Sequence, residues 1–301
     1  MSDRTLVRPM GDGARGHLAM LGFSALVAGS FSLGGLAAPH VAPEAFNAVR
    51  FLIAASSVWV LLRLQGPIPR DAFAAPWRYL VLAALFVAYF VTMFEGLRTA
   101  VPVSLSAVFT LTPALSALAG WWLLSQRTTP RMALALVIGG AGALWVVFRG
   151  DIAAAIALDV GRGEAIYFAG CVAHAVYTPL LRRWSRGEPA LAVNAGVLTA
   201  GTLLLWMWAF PAIRATDWIA LPGIVWIALV YTALVATALT FALLRYGAMR
   251  LPAAKVMAYT YVVPSWVLLW DLALGQAVPG WPVIAGGALT VVALLLLLRD
   301  G

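Results

Sequence analysis

The chain has 301 residues, of which 63% are hydrophobic and only 11% charged, with a formal net charge of +8. A soluble domain carries roughly half apolar and a quarter charged residues, so this composition excludes a soluble enzyme or binding module and requires an integral membrane protein. The basic residues stand one to three at a time between apolar stretches, which fits the loop charges of a polytopic membrane protein and excludes a continuous phosphate-binding stripe.

In chain order, residues 1–16 read as a polar, disordered tail, and no cleavable leader follows because the first apolar stretch runs on past any cleavage region. At about 20 apolar residues per crossing, ten spans fit, near 17–37, 43–62, 77–97, 101–124, 130–149, 163–184, 190–211, 220–244, 252–272 and 280–298. Placing the tail and the even-numbered connections on one side collects Arg4, Arg8, Arg15, Arg63, Arg70, Arg78, Arg127, Arg131, Arg182, Arg183, Arg186, Arg245, Arg250, Lys255 and Arg299 there. The other side keeps only Arg98, Arg149, Arg162 and Arg214, so the positive-inside rule puts both termini in the cytoplasm. The connection 150–162 separates five spans (17–149) from five (163–298), and an odd number per half forces the halves into opposite orientations, an inverted repeat.

The fourth span of each half is the most informative. One runs from Pro102 to Pro113, the other from Pro252 to Pro264, and they end in Ser125-Gln126 and Gly275-Gln276. A proline inside a membrane helix removes a backbone donor, which lipid tolerates only where the freed groups face protein or a water-filled cavity. Matched interruptions in two halves point to a transport site, with Pro113 and Pro264 as hinges. The spans that follow carry Gly139, Gly140 and Gly142, and Gly286 and Gly287; small residues there allow close helix packing, either within the bundle or at a dimer face.

Polar side chains inside spans are costly and are candidates for substrate contact. His174 and Tyr177 lie three apart on one face of span six, with Thr178 beside them. Tyr89 and Thr92 share a face of span three; Glu95, one turn outward, reads as an interfacial partner of Arg98. Span nine offers Tyr259, Tyr261 and Trp266 for stacking and cation–π contact. Ser30 and Ser32 in span one, and Ser106, Thr110 and Thr112 in span four, add hydroxyls. In span two, Arg50 reads as a residue that snorkels or pairs with Glu44 rather than one that meets a carboxylate. Cys171 reads as a small core residue.

The interiors of spans one, three, six and eight hold no carboxylate, which argues against proton-driven antiport of cations and leaves His174 as the titratable group near mid-span. Gly22-Phe23-Ser24-Ala25 lacks the second glycine of an intramembrane serine hydrolase, and no zinc spacing, P-loop or dinucleotide fingerprint is present. The expectation is a non-enzymatic protein without cofactor or metal.

With its two fivefold sets, the stretch Pro43-Glu-Ala-Phe-Asn-Ala-Val-Arg50-Phe51-Leu-Ile-Ala and the repeated proline-centred fourth span, the chain resembles EamA-type drug/metabolite transporters. Within them it is most similar to bacterial exporters of aromatic and other neutral amino acids. That resemblance implies an all-α inner-membrane protein of ten helices around a central cavity built mainly by spans one, three, four, six, eight and nine. The implied substrates are aromatic and other large neutral amino acids; the missing carboxylates make facilitated rather than proton-coupled movement of the zwitterion the expectation, with proton-coupled antiport of cationic or other small compounds as the alternative. Many relatives carry glutamate where this chain has Gln126 and Gln276, which removes any role that needs charge there.

Overall fold

The computed structural model describes residues 12–67, 70–157, 159–248, 250–251, 256, 258–277 and 280–298. Pro252 and Lys255, and the basic residues Arg4, Arg8 and Arg299, lie outside the described residues. All regular structure among the described residues is helical. α1 spans Asp12–Ala37, α2 Pro43–Leu64, α3 Pro76–Leu97, α4 Pro102–Phe109, α5 Thr112–Leu124, α6 Pro130–Val147, α7 Ile152–Ala157, α8 Arg162–Trp184 and α9 Ala190–Ala215. α10 (Gly223–Val230) continues through a π-helical segment, Tyr231–Leu239, into α11 (Thr240–Ala248). A 3-10 turn, Tyr259–Val262, precedes α12 (Val263–Ala273), and α13 spans Trp281–Leu298. Helix α1 therefore starts inside the stretch expected to be a loose tail, and the connection 150–162 contains the short α7.

Proline opens α2, α3, α4 and α6, where its missing N–H is one of the donors a helix start leaves free anyway. Among the described residues six helical stretches are long and apolar enough to cross a membrane, namely α1, α2, α3, α4 with α5, α6 and α9, and the shorter apolar helices include Gly223–Thr237 and Trp281–Leu296. Large apolar side chains such as Trp122, Leu203 and Met207 point outward, as lipid-facing positions do.

Both predicted interruptions are present. The i→i−4 partner of residue 113 is the carbonyl of Phe109, which proline cannot serve and against which its ring clashes; α4 ends at Phe109 and α5 restarts at Thr112, with Pro113 in its first turn. Pro264 likewise sits in the first turn of α12, directly after the 3-10 turn. Each broken segment ends on a left-handed residue, Ser125 (φ 52°) and Gly275 (φ 76°), whose following amide bonds back to the helix: Gln126 to the Gly120 carbonyl at 3.2 Å and Gln276 to that of Asp271 at 2.8 Å.

α3 packs on α8, α2 on α9, α6 on α13, α4 on α12, and α1 on α10, α11 and α12. Glycines set the close crossings. A Cβ on Gly96 would meet the Gly163 carbonyl at 2.8 Å, and one on Gly170 would meet the Thr92 hydroxyl at 1.9 Å, so α3 and α8 approach backbone to backbone. Between α6 and α13 the crossing is made by Gly142 and Gly286, each of which faces the other's carbonyl at 3.0 Å. Of the other glycines expected there, Gly139 makes room for the Tyr261 ring, whereas Gly140 and Gly287 meet only ordinary contacts with Leu111 and Ser265 at 3.8 and 3.7 Å. Those two positions do not form the crossing because they face the breaks of the fourth spans instead.

Candidate functional site

A cavity of about 680 Å³ lies between α1, α3, the α4–α5 break, α8 and the π-helical segment. Its mouth is at the end of the bundle where α3 and α9 begin and α8 ends, among exposed Arg182, Ser185 and Ala190. From there it reaches to Arg50, Tyr89, Phe31 and Phe109.

At the far end the bundle is shut. Phe31 packs on Phe109 and Tyr167 at 5.9 and 6.0 Å, the Tyr167 and Tyr89 hydroxyls share a hydrogen bond of 3.0 Å, and Phe46 stacks on Phe94 at 4.2 Å. Beyond them Ser104 donates to buried Glu164 at 2.7 Å, tying α4 to the first turn of α8. Cys171 is fully buried in the same cluster. Glu164, in the first turn of α8, is thus an interior latch.

One wall is aromatic. His174 stacks on Tyr89 at 4.5 Å and lies nearly parallel to Tyr177 at 5.9 Å, while Phe86 stacks on Tyr177 at 5.2 Å and Phe90 meets Tyr89 edge-on at 4.8 Å. The Nδ1 atom of His174 is buried without a hydrogen-bond partner. His174, Tyr177 and Tyr89 are therefore brought together, with Thr178, Ser30, Thr112 and Pro113 on the same cavity.

The remaining candidates lie elsewhere. The Tyr259 hydroxyl is bonded to His17 Nδ1 at 2.7 Å, and the 3-10 turn that carries it directs Thr260 rather than its tyrosines to the cavity. The Trp266 indole donates to Ser24 at 3.1 Å, which pins α12 to α1. Thr110 spends its hydroxyl on the Ala107 carbonyl at 2.7 Å, and Ser32 is buried outside the lining. Gly29 admits side chains rather than a backbone: a Cβ there would meet the Tyr231 hydroxyl at 2.3 Å, and that hydroxyl donates to the Leu26 carbonyl. Glu95 pairs with Arg98 at 3.2 Å on the surface.

Three features of the site had no clear signal in the sequence. The π-helical segment turns Ala236 and Thr237 to the cavity and leads into Thr240 of α11, which also lines it; such segments cluster at functional sites, yet no residue pattern announces one. At the mouth, Arg78 donates to the Trp184 carbonyl and to Glu188 at 2.7 Å, a pair whose side chains are 4% and 6% exposed. Burial pushes the Glu188 carboxyl up, but hydrogen bonds from the Arg186 backbone and the Arg78 guanidinium outweigh it and hold the carboxyl below its usual range. The third is Arg50. It neither snorkels nor pairs with Glu44: it is 2% exposed, its guanidinium lies 3.8 Å above the Phe90 ring, and its Nη1 has no hydrogen-bond partner.

The EamA-like transporter family matches the chain twice, over residues 14–148 and 161–299, once on each side of the central connection. The chain belongs to this family. It is also 24% identical over 281 residues to the uncharacterized transporter YyaM of Bacillus subtilis (strain 168), a match that covers 93% of this chain and 92% of that protein. A solved protein crystal structure shares the fold with a TM-score of 0.67 at 20% identity, covering 92% of this chain and 95% of the other. Membership in this family points to a non-enzymatic transporter.

Proposed function

We propose that this protein exports small organic solutes, foremost aromatic and other large neutral amino acids, across a bacterial inner membrane by alternating access. The observation that carries the reading is the single-ended cavity beside two matched proline breaks, with an aromatic wall of Tyr89, His174, Tyr177 and Phe86. Stacked rings receive a flat apolar side chain, and the unpartnered His174 Nδ1 supplies a neutral polar atom beside them.

The reading includes ten spans arranged as two inverted sets of five. In support, the packing is nearly unchanged when each span is exchanged for the one five places on: α3 against α8 becomes the π-helical span against α1, while α2–α9, α6–α13 and α4–α12 map onto themselves. Positive charge then puts both termini and the cavity mouth on the cytoplasmic side. The far-end cluster opens and the mouth closes as the halves rock about Pro113 and Pro264.

Movement is facilitated rather than proton-coupled. Among the described residues lining the cavity Glu188 is the one carboxylate, and it is committed to Arg78, whereas a proton-coupled exporter needs a carboxylate that binds substrate and proton in competition. The test is counterflow in liposomes with a panel of labelled amino acids and cationic dyes, repeated with an imposed pH gradient at equal substrate concentration. Saturable exchange of phenylalanine or tryptophan without accumulation is expected, and His174→Ala should raise the half-saturating concentration. Transport of the dyes alone, or accumulation that collapses with the gradient, would overturn this.

A further inference from the structure

Arg50 is a charge without a countercharge. Neither ion pair among the described residues includes it, its Nη1 lacks a hydrogen-bond partner, and the side chain is 2% exposed. Leaving a guanidinium buried and unpaired is expensive, because nothing replaces the water it has lost. Phe90 offsets part of that cost through the face of its ring, 3.8 Å from the guanidinium carbon. Asn47, one turn before Arg50 on α2, donates to the Phe90 carbonyl at 3.4 Å and so helps hold α3 in place beneath it. The other cavity-lining charges lie at the mouth, where Arg78 and Glu188 satisfy each other and Arg182 is exposed. The inner end of the cavity therefore carries one positive charge, a fixed ring beneath it, and the aromatic strip Tyr89–His174–Tyr177 leading away toward the mouth.

We propose that Arg50 is the carboxylate-binding residue of this cavity, and that the ligand class is defined by one carboxylate joined to an aromatic or large apolar body. An amino acid fits, but its ammonium group is not the recognised element, since no described carboxylate faces the inner end of the cavity. Aromatic monocarboxylic acids that lack an amine are therefore ligands too, and amines that lack the carboxylate are not. Guanidinium suits this task because its planar fork meets both oxygens of a carboxylate at once. The proposal rests on reading the cavity as the transport site.

The experiment uses the full chain in liposomes, with labelled phenylalanine counterflow challenged by hydrocinnamate, which is phenylalanine without its ammonium, and by phenethylamine, which is phenylalanine without its carboxylate. Hydrocinnamate should compete within a few-fold of unlabelled phenylalanine, and phenethylamine should be at least about 10-fold weaker, the ratio expected for loss of a charge-assisted hydrogen bond. Arg50→Met keeps the apolar stem over Phe90 and removes the charge. Its half-saturating phenylalanine concentration should rise by about 10-fold or more, while its unfolding midpoint holds or rises, because an unpaired buried charge has gone.

Equal competition by phenethylamine overturns the proposal and leaves the transport reading standing. So does unchanged saturation in Arg50→Met. A large fall in unfolding midpoint with unchanged saturation assigns Arg50 to the scaffold. Absence of phenylalanine counterflow, with no thermal shift from any of the three compounds, overturns both readings together. Should Arg50→Met fail to assemble, the competition series on the wild-type protein decides alone.

Discussion

Gly170→Ala tests the contact on which the closed end depends. The added methyl carbon would stand 1.9 Å from the Thr92 hydroxyl and 3.2 Å from both the Thr92 Cβ and the Tyr89 carbonyl oxygen. Thr92 has little room to yield, since it is β-branched and its hydroxyl is held by the Ala88 and Tyr89 carbonyls at 2.7 and 3.1 Å. Helices α3 and α8 must part locally, and overpacking of this kind costs about 1–3 kcal/mol. Thr92→Ala removes the offending oxygen; alone it should cost under about 1 kcal/mol, because back-bonding to its own helix adds little. In the double variant the nearest obstacles are the two at 3.2 Å, which a shift of a few tenths of an ångström relieves. The cycle should therefore show a favourable coupling of about 1–2 kcal/mol, measured as unfolding midpoints of the purified protein in detergent. Because Tyr89 stacks on His174 directly below this contact, Gly170→Ala should also impair phenylalanine counterflow, and Thr92→Ala should restore it. An unfolding midpoint for Gly170→Ala equal to wild type would show that the helices are not as close as described, and additive single effects would remove Thr92 as the cause.

Other perturbations follow from single features. Pro113→Ala restores a donor for the Phe109 carbonyl and fuses α4 with α5; removing an interior helix proline is worth up to about 3 kcal/mol, so the unfolding midpoint should rise while the counterflow rate falls, and an unchanged rate would deny Pro113 its hinge role. Ser125→Gly should raise stability by about 0.5–1 kcal/mol because φ 52° strains any residue with a Cβ; Gly275→Ser should do the reverse, both read by thermal unfolding. Glu188→Gln should destabilise by about 1–3 kcal/mol at neutral pH. Since the Glu188 carboxyl titrates below its unfolded value, that stabilisation is complete above the unfolded value of about 4.3 and is lost as pH falls through the lowered folded value. Midpoints of wild type and variant compared across pH should converge only in acid; convergence near neutrality would refute the assignment.

The features legible in the sequence are those with local chemical causes. A missing N–H at 113 and at 264 breaks a helix whatever surrounds it, and Ser125 and Gly275 close their segments because the chain must turn there. His174 and Tyr177 could be paired because helical spacing puts residues three apart on one face. Which face points inward was another matter. Helices that are apolar all round carry no polar stripe to orient them, so Ser32 and Thr110 could not be told from true lining residues. Tyr259 and Tyr261 were misplaced for a different reason: a 3-10 turn advances each residue by more than an α-helix does, and it rotates the cavity-facing position onto Thr260. Arg50 was assigned to pairing because arginine near a helix end usually snorkels; what the sequence lacked was the position of Phe90, forty residues on, which makes burial tolerable. Glu188 and Arg78 are separated by 110 positions, and only tertiary structure joins them.

The lone thiol, Cys171, has a practical consequence. It is fully enclosed in the cluster that shuts the far end, one helical turn along α8 from Tyr167. With one sulfhydryl in the chain, no background cysteine needs to be removed before labelling. A water-soluble maleimide should leave the protein unmodified as long as the far-end cluster holds, and should reach the sulfur once that cluster parts. The wild-type chain thus carries its own gauge of access, and the labelling rate with and without ligand becomes a direct clock for how often the shut end opens.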